Sequence, residues 1–331
     1  MDAGLWPGAV AVSGGGDSLA LMHLLADWAK AQKRVAPVVL IVDHRLREGS
    51  SKDAKQAARW AREAGLESHV LVWRGDKPDG DVEAAAREAR YSLMGTWCRK
   101  HGLGFLYVAH TLEDQAETFL LRLARGSGLD GLSAMRSPSP FPGFDNLKLV
   151  RPLLAMRRAE LRSYLESRGQ GWLEDPMNGD PRFARVKMRR AAPELAELGL
   201  TPERLAAAAS HLGRARAALE RDVELWLSKA CRFEASRALV DGAALAEAPR
   251  EIALRALAHI LGRISGHAYR PRFERLERLY AAILQGGGAA RTLHGCRIGK
   301  PAKRDAIFGP GTLTIVRERV RISAKEGQVP D

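Results

Sequence analysis

The chain has 331 residues, of which 46% are hydrophobic, and a formal net charge of +13. This length exceeds the ~100–200 residues of a typical domain, so we expect two domains, and the hydrophobic content excludes extensive disorder. The excess of Lys and Arg favours a polyanionic partner such as nucleic acid, although a generally basic enzyme would carry the same charge.

Cysteine usage and hydropathy predict a protein of a reducing compartment. The three cysteines are far apart in the sequence and form no CxxC pair, which argues against a disulfide framework and a zinc site. The first residues lack the pattern of a signal peptide, and no apolar run approaches the ~18 residues of a membrane span. We therefore expect a cytoplasmic protein that does not enter a membrane.

Strand-like apolar runs alternate with helical segments in the first half of the chain. Strands are predicted at residues 9–12, 38–42, 68–73 and 105–109, and a fifth at 148–150 after a Pro-rich loop at 137–143. Helices are predicted at residues 19–33, 52–64 and 82–100. This alternation predicts an α/β fold with a doubly wound, mostly parallel, Rossmann-like sheet.

The second half of the chain predicts a different architecture. From residue 191 the sequence is rich in Ala, Leu, Glu and Arg, and helices are predicted up to 227, at 250–264 and at 272–284. A glycine run at 286–288 opens a small β-like tail that includes 312–316. We place the domain boundary between residues 190 and 191, so that the domains are 1–190 and 191–331.

A glycine-rich turn separates the first predicted strand from the first predicted helix. It consists of Ser13, Gly14, Gly15, Gly16, Asp17 and Ser18. A glycine run by itself is about as often a simple turn as a phosphate-binding loop. Here, serines and an aspartate at a helix start favour phosphate binding. No Gly-Lys-Ser/Thr is present, which excludes a Walker A loop. The run resembles the PP-loop of ATP pyrophosphatases, which implies cleavage of ATP between its α and β phosphates.

Polar side chains also follow two other predicted strands. Asp43 follows the second strand, and His110 and Asp114 follow the fourth. Ligands of open parallel sheets bind beyond the carboxyl ends of the strands, so we expect these side chains near the glycine loop. Taken alone, Asp43 could cap its loop, Asp114 could be an acid at a helix N-terminus, and His110 could be a structural histidine. Together, the two carboxylates opposite a phosphate loop suggest that Asp43 and Asp114 hold Mg²⁺.

A set of motifs in one order resembles the tRNA(Ile)-lysidine synthetase family. The motifs are residues 13–18, 42–47, 86–91, 110–118, 121–132, 150–154 and 172–178, followed by Arg182, Phe183 and Arg189. The similarity covers about residues 8–190 and is looser beyond them. The family often has Gly where this chain has Arg45, and Asp where it has Glu113.

The resemblance implies an ATP-dependent ligase that joins L-lysine to C2 of the wobble cytidine of tRNA(Ile) with a CAU anticodon. The cytidine oxygen attacks the α-phosphate and expels pyrophosphate, and the lysine ε-amine then displaces AMP. Implied roles are ATP binding by residues 13–18 and His110, and catalysis by Asp43, Asp114 and Arg122 with Mg²⁺. Arg122 or Arg151 would offset phosphate charge. A homodimer is left open.

Residues 151–190 hold ten Arg or Lys residues against five acids. Most charge runs form solvated helix faces, and we assign Arg157 and Arg158 in that way. The resemblance favours tRNA contact by six other basic residues. It also implies that the second domain contacts the tRNA. These residues are Arg151, Arg182, Arg185, Lys187, Arg189 and Arg190.

Three rival functions are weighed against this one. A tRNA thiolase would need reactive cysteines or an iron–sulfur site, and no cysteine pair lies near the predicted crevice. An amide-forming synthetase would need a glutaminase part with an N-terminal cysteine. A non-catalytic RNA-binding protein would not need the serines and acids of the glycine loop.

Overall fold

The computed structural model describes residues 3–75, 77, 80, 82–174, 184–267, 269–286 and 290–318. The chain forms two compact units, Met1–Gly213 and Arg214–Asp331. The predicted boundary after residue 190 stays a prediction about where the ATP-binding domain ends. Within the described residues, no helix is both long enough and apolar enough to span a membrane.

The first unit is built on a six-stranded sheet. Its strands are β1 (Ala9–Ala11), β2 (Val38–Asp43), β3 (Ser68–Val72), β4 (Phe105–Tyr107), β5 (Ser139–Phe141) and β6 (Phe144–Val150). They lie in the order β3-β2-β1-β4-β6-β5, and all neighbours are parallel except β5 and β6. The chain thus winds outward in both directions from β1, which confirms the predicted doubly wound sheet.

Helices cover both faces of this sheet. They are α1 (Gly16–Ala31), α2 (Ser50–Glu63), α3 (Val82–Lys100), α4 (Leu112–Leu123), α5 (Leu129–Leu132), α6 (Arg158–Ser167), α7 (Ala184–Arg190) and α8 (Ala192–Glu197). On β1, Val10 packs in the cluster that contains α1 and α2, whereas Ala9 packs in the cluster that contains α3. Successive side chains of a strand point to opposite faces, so β1, which is covered on both faces, is apolar throughout.

Several elements of the first unit differ from the sequence-based prediction. Strand β6 begins at Phe144 rather than at residue 148, and helices α4 and α6 were not predicted. Helix α1 begins at Gly16 rather than at residue 19, because the end of the glycine loop is itself the first turn of the helix. The Pro-rich loop contains β5, which pairs antiparallel with β6 at the sheet edge and shifts register between Pro140 and Phe141. Proline is tolerated in edge strands and at bulges, since its missing N–H breaks no inner ladder there.

The second unit combines helices with an antiparallel sheet. Its helices are α9 (Pro202–Ala230), which crosses the division between the units, α10 (Gly242–Glu247), α11 (Arg250–Ser265) and α12 (Phe273–Leu284). Its strands are β7 (Cys231–Phe233), β8 (Arg237–Asp241), β9 (Arg291–Leu293), β10 (Cys296–Gly299) and β11 (Thr312–Arg317). The strand order is β7-β8-β11-β10-β9. The β tail is confirmed. Its strand β11 pairs with β8, which in turn pairs with β7, and we predicted neither β7 nor β8.

Candidate active site

The glycine loop between β1 and α1 is packed against a second segment of the chain. Gly14 has a φ of +88°, in the left-handed region that favours glycine. A Cβ atom on Gly14 would lie 2.7 Å from Leu173 Cδ1, and the Gly14 carbonyl accepts the Leu173 N–H at 2.9 Å. The ring of Trp172 lies beside Gly16. Residues 172–173 therefore hold the loop in a shape that glycine alone permits at position 14.

Two serines fix the loop internally and leave the helix start open. Ser18 Oγ donates to the Gly15 carbonyl at 2.8 Å and accepts the Ser13 N–H at 3.1 Å. Gly15 caps α1 without a side-chain hydrogen bond. The first N–H groups of a helix lack intrahelical acceptors and lie at the positive end of its dipole. The loop can therefore receive an anion such as phosphate, and ATP binding by residues 13–18 stays a prediction consistent with this geometry.

Arg158, at the start of α6, links three carboxylates beside the loop. Its Nη2 lies 2.5 Å from Asp114 Oδ1, its Nη1 3.1 Å from Glu117 Oε1, and its Nε 3.3 Å from Asp17 Oδ2. Its backbone N–H donates to the carboxylate of Glu113 at 3.1 Å. The side chain is 22% exposed. The predicted solvated position of Arg158 was wrong, because the acids of α4 and of the glycine loop converge on its guanidinium.

Asp114 is held in one orientation at the start of α4. Its Oδ2 accepts the N–H of Thr111 at 2.9 Å and the Thr111 hydroxyl at 3.1 Å, and its Oδ1 accepts from Arg158. Burial alone would raise the pKa of Asp114, but Arg158 and the Thr111 N–H hold that pKa below its usual value. Asp114 is therefore an ionised, fixed acceptor.

Asp17 differs from Asp114 although both contact Arg158. Burial raises the pKa of Asp17, and the attraction of Arg158 offsets this only in part, since the nearby Asp114 charge raises the pKa further. Its contact with Arg158 is also the longest of the three. Asp17 is thus easier to protonate than Asp114, whose pKa is lowered.

Asp43, at the end of β2, is bonded to its own loop. Its carboxylate accepts the Ser51 hydroxyl at 2.6 Å, the Ser50 hydroxyl at 2.8 Å and the Arg45 N–H at 3.0 Å. Burial would raise the pKa of Asp43, but these hydrogen bonds outweigh it and lower the pKa. Asp43 thereby fastens the start of α2. Arg45 has a φ of +51°, which explains physically why the family often has glycine at this position.

The two predicted Mg²⁺ ligands, Asp43 and Asp114, are both engaged in hydrogen bonds. Every carboxylate oxygen of Asp43 and Asp114 already accepts a hydrogen bond. Within the described parts of the chain, no group of three or more His, Cys, Asp or Glu side chains is placed to hold a metal ion. The use of Mg²⁺ stays a prediction.

His110 lies between β4 and α4 as a neutral imidazole. Burial lowers its pKa to about 4, and the nearby Arg151 and Arg185 lower it as well, whereas Asp114 acts in the opposite direction. Its Nδ1 is buried and has no hydrogen-bond partner among the described residues. Buried polar atoms are rarely left without a partner, so this nitrogen favours the predicted contact with a ligand such as ATP.

The two predicted phosphate-neutralising arginines donate to backbone carbonyls. Arg122 Nη1 lies 2.7 Å from the carbonyl oxygen of Gly131 in α5. Arg151 Nη1 lies 2.7 Å from both the Arg136 carbonyl and Ser139 Oγ, and Arg151 is 9% exposed. So deeply buried a side chain offers RNA little surface. The catalytic role of Arg122 and the tRNA contact of Arg151 stay predictions that these contacts do not favour.

The remaining predicted tRNA-binding residues fall into three groups. Arg182 lies outside the described residues. Arg189 donates to Glu117 at 2.8 Å, and Arg185 acts on the charges of His110 and Asp114, so both serve the acids of α4. Lys187 and Arg190 are exposed and line an open cavity of about 520 Å³. These last two have the exposure that RNA contact requires.

Sequence reasoning missed Arg158 and the packing role of residues 172–173. A signal for Arg158 was present, since three acids at positions 113, 114 and 117 need a cation if they are buried. Nothing in the sequence indicated which basic residue would pair with these acids, because that depends on the position in the fold of the chain that follows β6.

Comparisons with known proteins agree with this architecture. The PP-loop domain family matches residues 7–195. The chain is 42% identical to the tRNA(Ile)-lysidine synthase of Ruegeria pomeroyi over 263 residues, which are 80% of this chain and 62% of that protein. It is 37% identical to the tRNA(Ile)-lysidine synthase of Wolbachia pipientis over 317 residues, which are 95% of this chain and 71% of that protein.

One solved structure shows the same fold at low identity. It is a U34-tRNA thiolase from Methanococcus maripaludis, with a TM-score of 0.51 and 18% identity over 62% of this chain and 71% of that one. The chain spans less than two thirds of the Ruegeria relative but most of the Wolbachia relative. Since the family match also covers more than half of the chain, this protein belongs to the tRNA(Ile)-lysidine synthase family.

Proposed function

We propose that this protein ligates L-lysine to C2 of the wobble cytidine of tRNA(Ile) with a CAU anticodon, consuming ATP and giving lysidine, AMP and pyrophosphate. The identity to named tRNA(Ile)-lysidine synthases and the PP-loop family match support this function. The structural observation that carries it is the open helix start of the glycine loop beside β1, where the sheet changes winding direction.

The first step is the adenylation of the cytidine. Its O2 attacks the α-phosphate of ATP, the bond to the β-phosphate oxygen breaks, and pyrophosphate leaves. Ser13 and Ser18 fix the loop that leads into α1, so the N–H groups at the start of this helix can stabilise the negative charge that grows on the departing pyrophosphate. Neutral His110 can donate or accept one hydrogen bond at the same edge of the sheet.

The second step is the attack of the lysine ε-amine on C2. A C–N bond forms, the C–O bond to AMP breaks, and the amine loses a proton. The carboxylates around Arg158 already attract one cation, which supports a role in receiving the lysine ammonium. The pKa of Asp17 is raised whereas that of Asp114 is lowered, so we assign Asp17 as the acceptor of this proton.

The finer features of the proposal have separate support. Mg²⁺ would enter with the ATP phosphates and neutralise their charge, since hard oxygen ligands of this kind suit it. The protein would work in the cytoplasm, and a homodimer stays a prediction. A thiolase activity is not favoured, because burial raises the pKa of Cys98 to about 12 and the pKa values of Cys231 and Cys296 to about 11.

An incorporation assay tests the proposed function. The protein is incubated with ATP, Mg²⁺, radiolabelled lysine and unmodified tRNA(Ile) with a CAU anticodon. We expect label in this tRNA and none in the same tRNA with a GAU anticodon, which lacks the wobble cytidine. Absence of label from a tRNA that the protein demonstrably binds would overturn the proposal.

An Asp17 variant tests the assigned proton acceptor. Asp17→Asn should lower AMP formation about 100-fold, because general acid–base catalysis contributes on that scale. Its affinity for tRNA should stay within twofold of the original. Asp27→Asn is the matched control, since Asp27 lies on the same helix but is half exposed and pairs with Arg168. Equal loss in both variants would contradict the role of Asp17.

A further inference from the structure

The second unit carries a pocket that the proposed chemistry does not use. It is lined by His259, Arg263, His267, Tyr269 and Arg270, with Ala258 and Gly262, and has a volume of about 490 Å³. We call it the tyrosine–arginine pocket. Its volume falls in the range of sites that hold small ligands, and a nucleotide is of that size.

Residues of α11 and residues that follow it line this pocket, and a hairpin turn packs against two of them. His259 and Arg263 lie one turn apart on α11, which ends at Gly266 in the left-handed region. The following loop brings His267 and Tyr269 together, with ring centroids 5.4 Å apart. The turn between β9 and β10 adds the ring of His294, 4.7 Å from His267 and 5.1 Å from Tyr269.

Glycine is required where the turn meets the loop. Gly295 has a φ of +71°, and a Cβ atom there would lie 3.2 Å from His267 Nε2. The preceding His294 also lies in the left-handed region, with a φ of +56°. Its Nε2 is buried and has no hydrogen-bond partner in the described part of the chain. The turn therefore accepts backbone strain to place a ring against Tyr269.

The pocket presents a supported aromatic ring beside cations. Tyr269 is 68% exposed, so its ring is available although His267 and His294 fix its position. The Cζ atom of Arg263 lies 4.0 Å from the centroid of the Phe233 ring. Burial lowers the pKa of His259, and Arg263 and Arg270 lower it further, while Glu224 is the acid that acts on it in the opposite direction.

We propose that the tyrosine–arginine pocket binds an unpaired nucleotide of the substrate RNA, with the base stacked on Tyr269 and the adjoining phosphate on Arg263 and Arg270. The inference rests on the proposed function, which supplies a tRNA as the partner. Proteins hold unpaired RNA bases by stacking them on aromatic side chains, and arginines bind the backbone. The net charge of +13 gives the chain the sign that such a partner needs.

Binding measurements on full-length variants test the pocket. Tyr269→Ala should raise the Kd for the CAU-anticodon tRNA(Ile) transcript about tenfold, because each stacked base contributes on that scale. Tyr269→Phe keeps the ring and should bind within twofold of the original protein. Affinity for a fully paired RNA duplex should not change. Arg263→Ala should reduce the slope of log Kd against log salt by about one.

Two matched controls separate the pocket from general surface effects. Phe273→Ala removes another exposed ring, 60% exposed at the start of α12, and Arg278→Ala removes an arginine that is 80% exposed on that helix. Phe273→Ala should leave tRNA affinity within twofold. Tyr269→Ala binding the transcript as tightly as the original protein would overturn the pocket, whether or not lysidine forms. If Tyr269→Ala binds the transcript more weakly but the original protein forms no lysidine, only the proposed function is overturned.

Discussion

The two predicted catalytic acids, Asp43 and Asp114, are stabilised in different ways. Asp43 is the last residue of β2 and Asp114 lies in the first turn of α4, but both are buried and both have a lowered pKa. Asp43 is held by neutral donors from residues 45–51 of its own loop. Asp114 accepts from Thr111 beside it, but it also needs Arg158, which follows β6 in the sequence and begins α6. One acid is therefore organised locally, whereas the other depends on a charge from a distant part of the chain.

Removing the distant charge should have the largest effect. Arg158→Met leaves Asp17, Asp114 and Glu117 close together without their shared cation, and we expect a loss of about 3 kcal/mol in the free energy of unfolding. Urea denaturation at pH 7 measures this loss. Arg157→Met is the control. Arg157 is next to Arg158 in the sequence but is 56% exposed, so it should contribute under about 1 kcal/mol to the free energy of unfolding. Equal effects of the two substitutions would contradict the central place of Arg158.

The same contrast explains what the sequence could predict. The strands and the glycine turn were predictable because each depends on neighbours in the sequence, namely an apolar run and a run of glycines. The catalytic role of Asp43 stays a prediction. The contacts of Arg158 and of Leu173 with the loop region depend on tertiary packing between distant segments. Strands β7 and β8 were missed because they are short and lie between long helices.

Near Asp114, the buried His110 should make the stability of the protein depend on pH. The folded pKa of His110 is about 4 and lies below the unfolded value of 6.5, so folding favours the neutral form. Its contribution to stability is present above pH 6.5 and is lost as the pH falls towards 4. His110→Gln should remove on the order of 2 kcal/mol of this loss, measured as the difference in unfolding free energy between pH 7 and pH 4.5.

An exposed histidine provides the control for this pH effect. His211→Gln alters an exposed histidine of the same unit and should leave the pH dependence unchanged. A His110→Gln protein that loses as much stability on acidification as the original protein would show that this imidazole is not buried in its neutral form.

The Asp43 side should show a smaller and local effect. Ser51→Ala removes one of three donors to Asp43, and we expect about 1 kcal/mol of destabilisation at pH 7. The lowered pKa of Asp43 means that this stability is present above its unfolded pKa of 3.8 and is lost as the pH falls through the folded pKa. The effect of Ser51→Ala should therefore shrink at pH 3, whereas Lys52→Ala, at the next exposed position, should have little effect at either pH.

The smallest expected effect is a gain. Arg45→Gly relieves the left-handed backbone at φ +51° while keeping the N–H that donates to Asp43. The greater freedom of glycine in the unfolded chain offsets part of this relief, so we expect a net stabilisation of about 0.5 kcal/mol. Thermal unfolding measures it. A loss of stability would show that the Arg45 side chain, whose Nε lies 3.9 Å from Asp43, contributes more than the backbone strain costs.

The most direct test of the central claim is the stoichiometry of the reaction on the CAU-anticodon tRNA(Ile). After incubation with ATP and lysine, the nucleoside at the wobble position is identified by mass spectrometry, and the AMP released is counted in the same sample. We predict one lysidine in place of cytidine for each AMP formed. An unchanged cytidine in tRNA that the protein has bound, with or without AMP release, would contradict it.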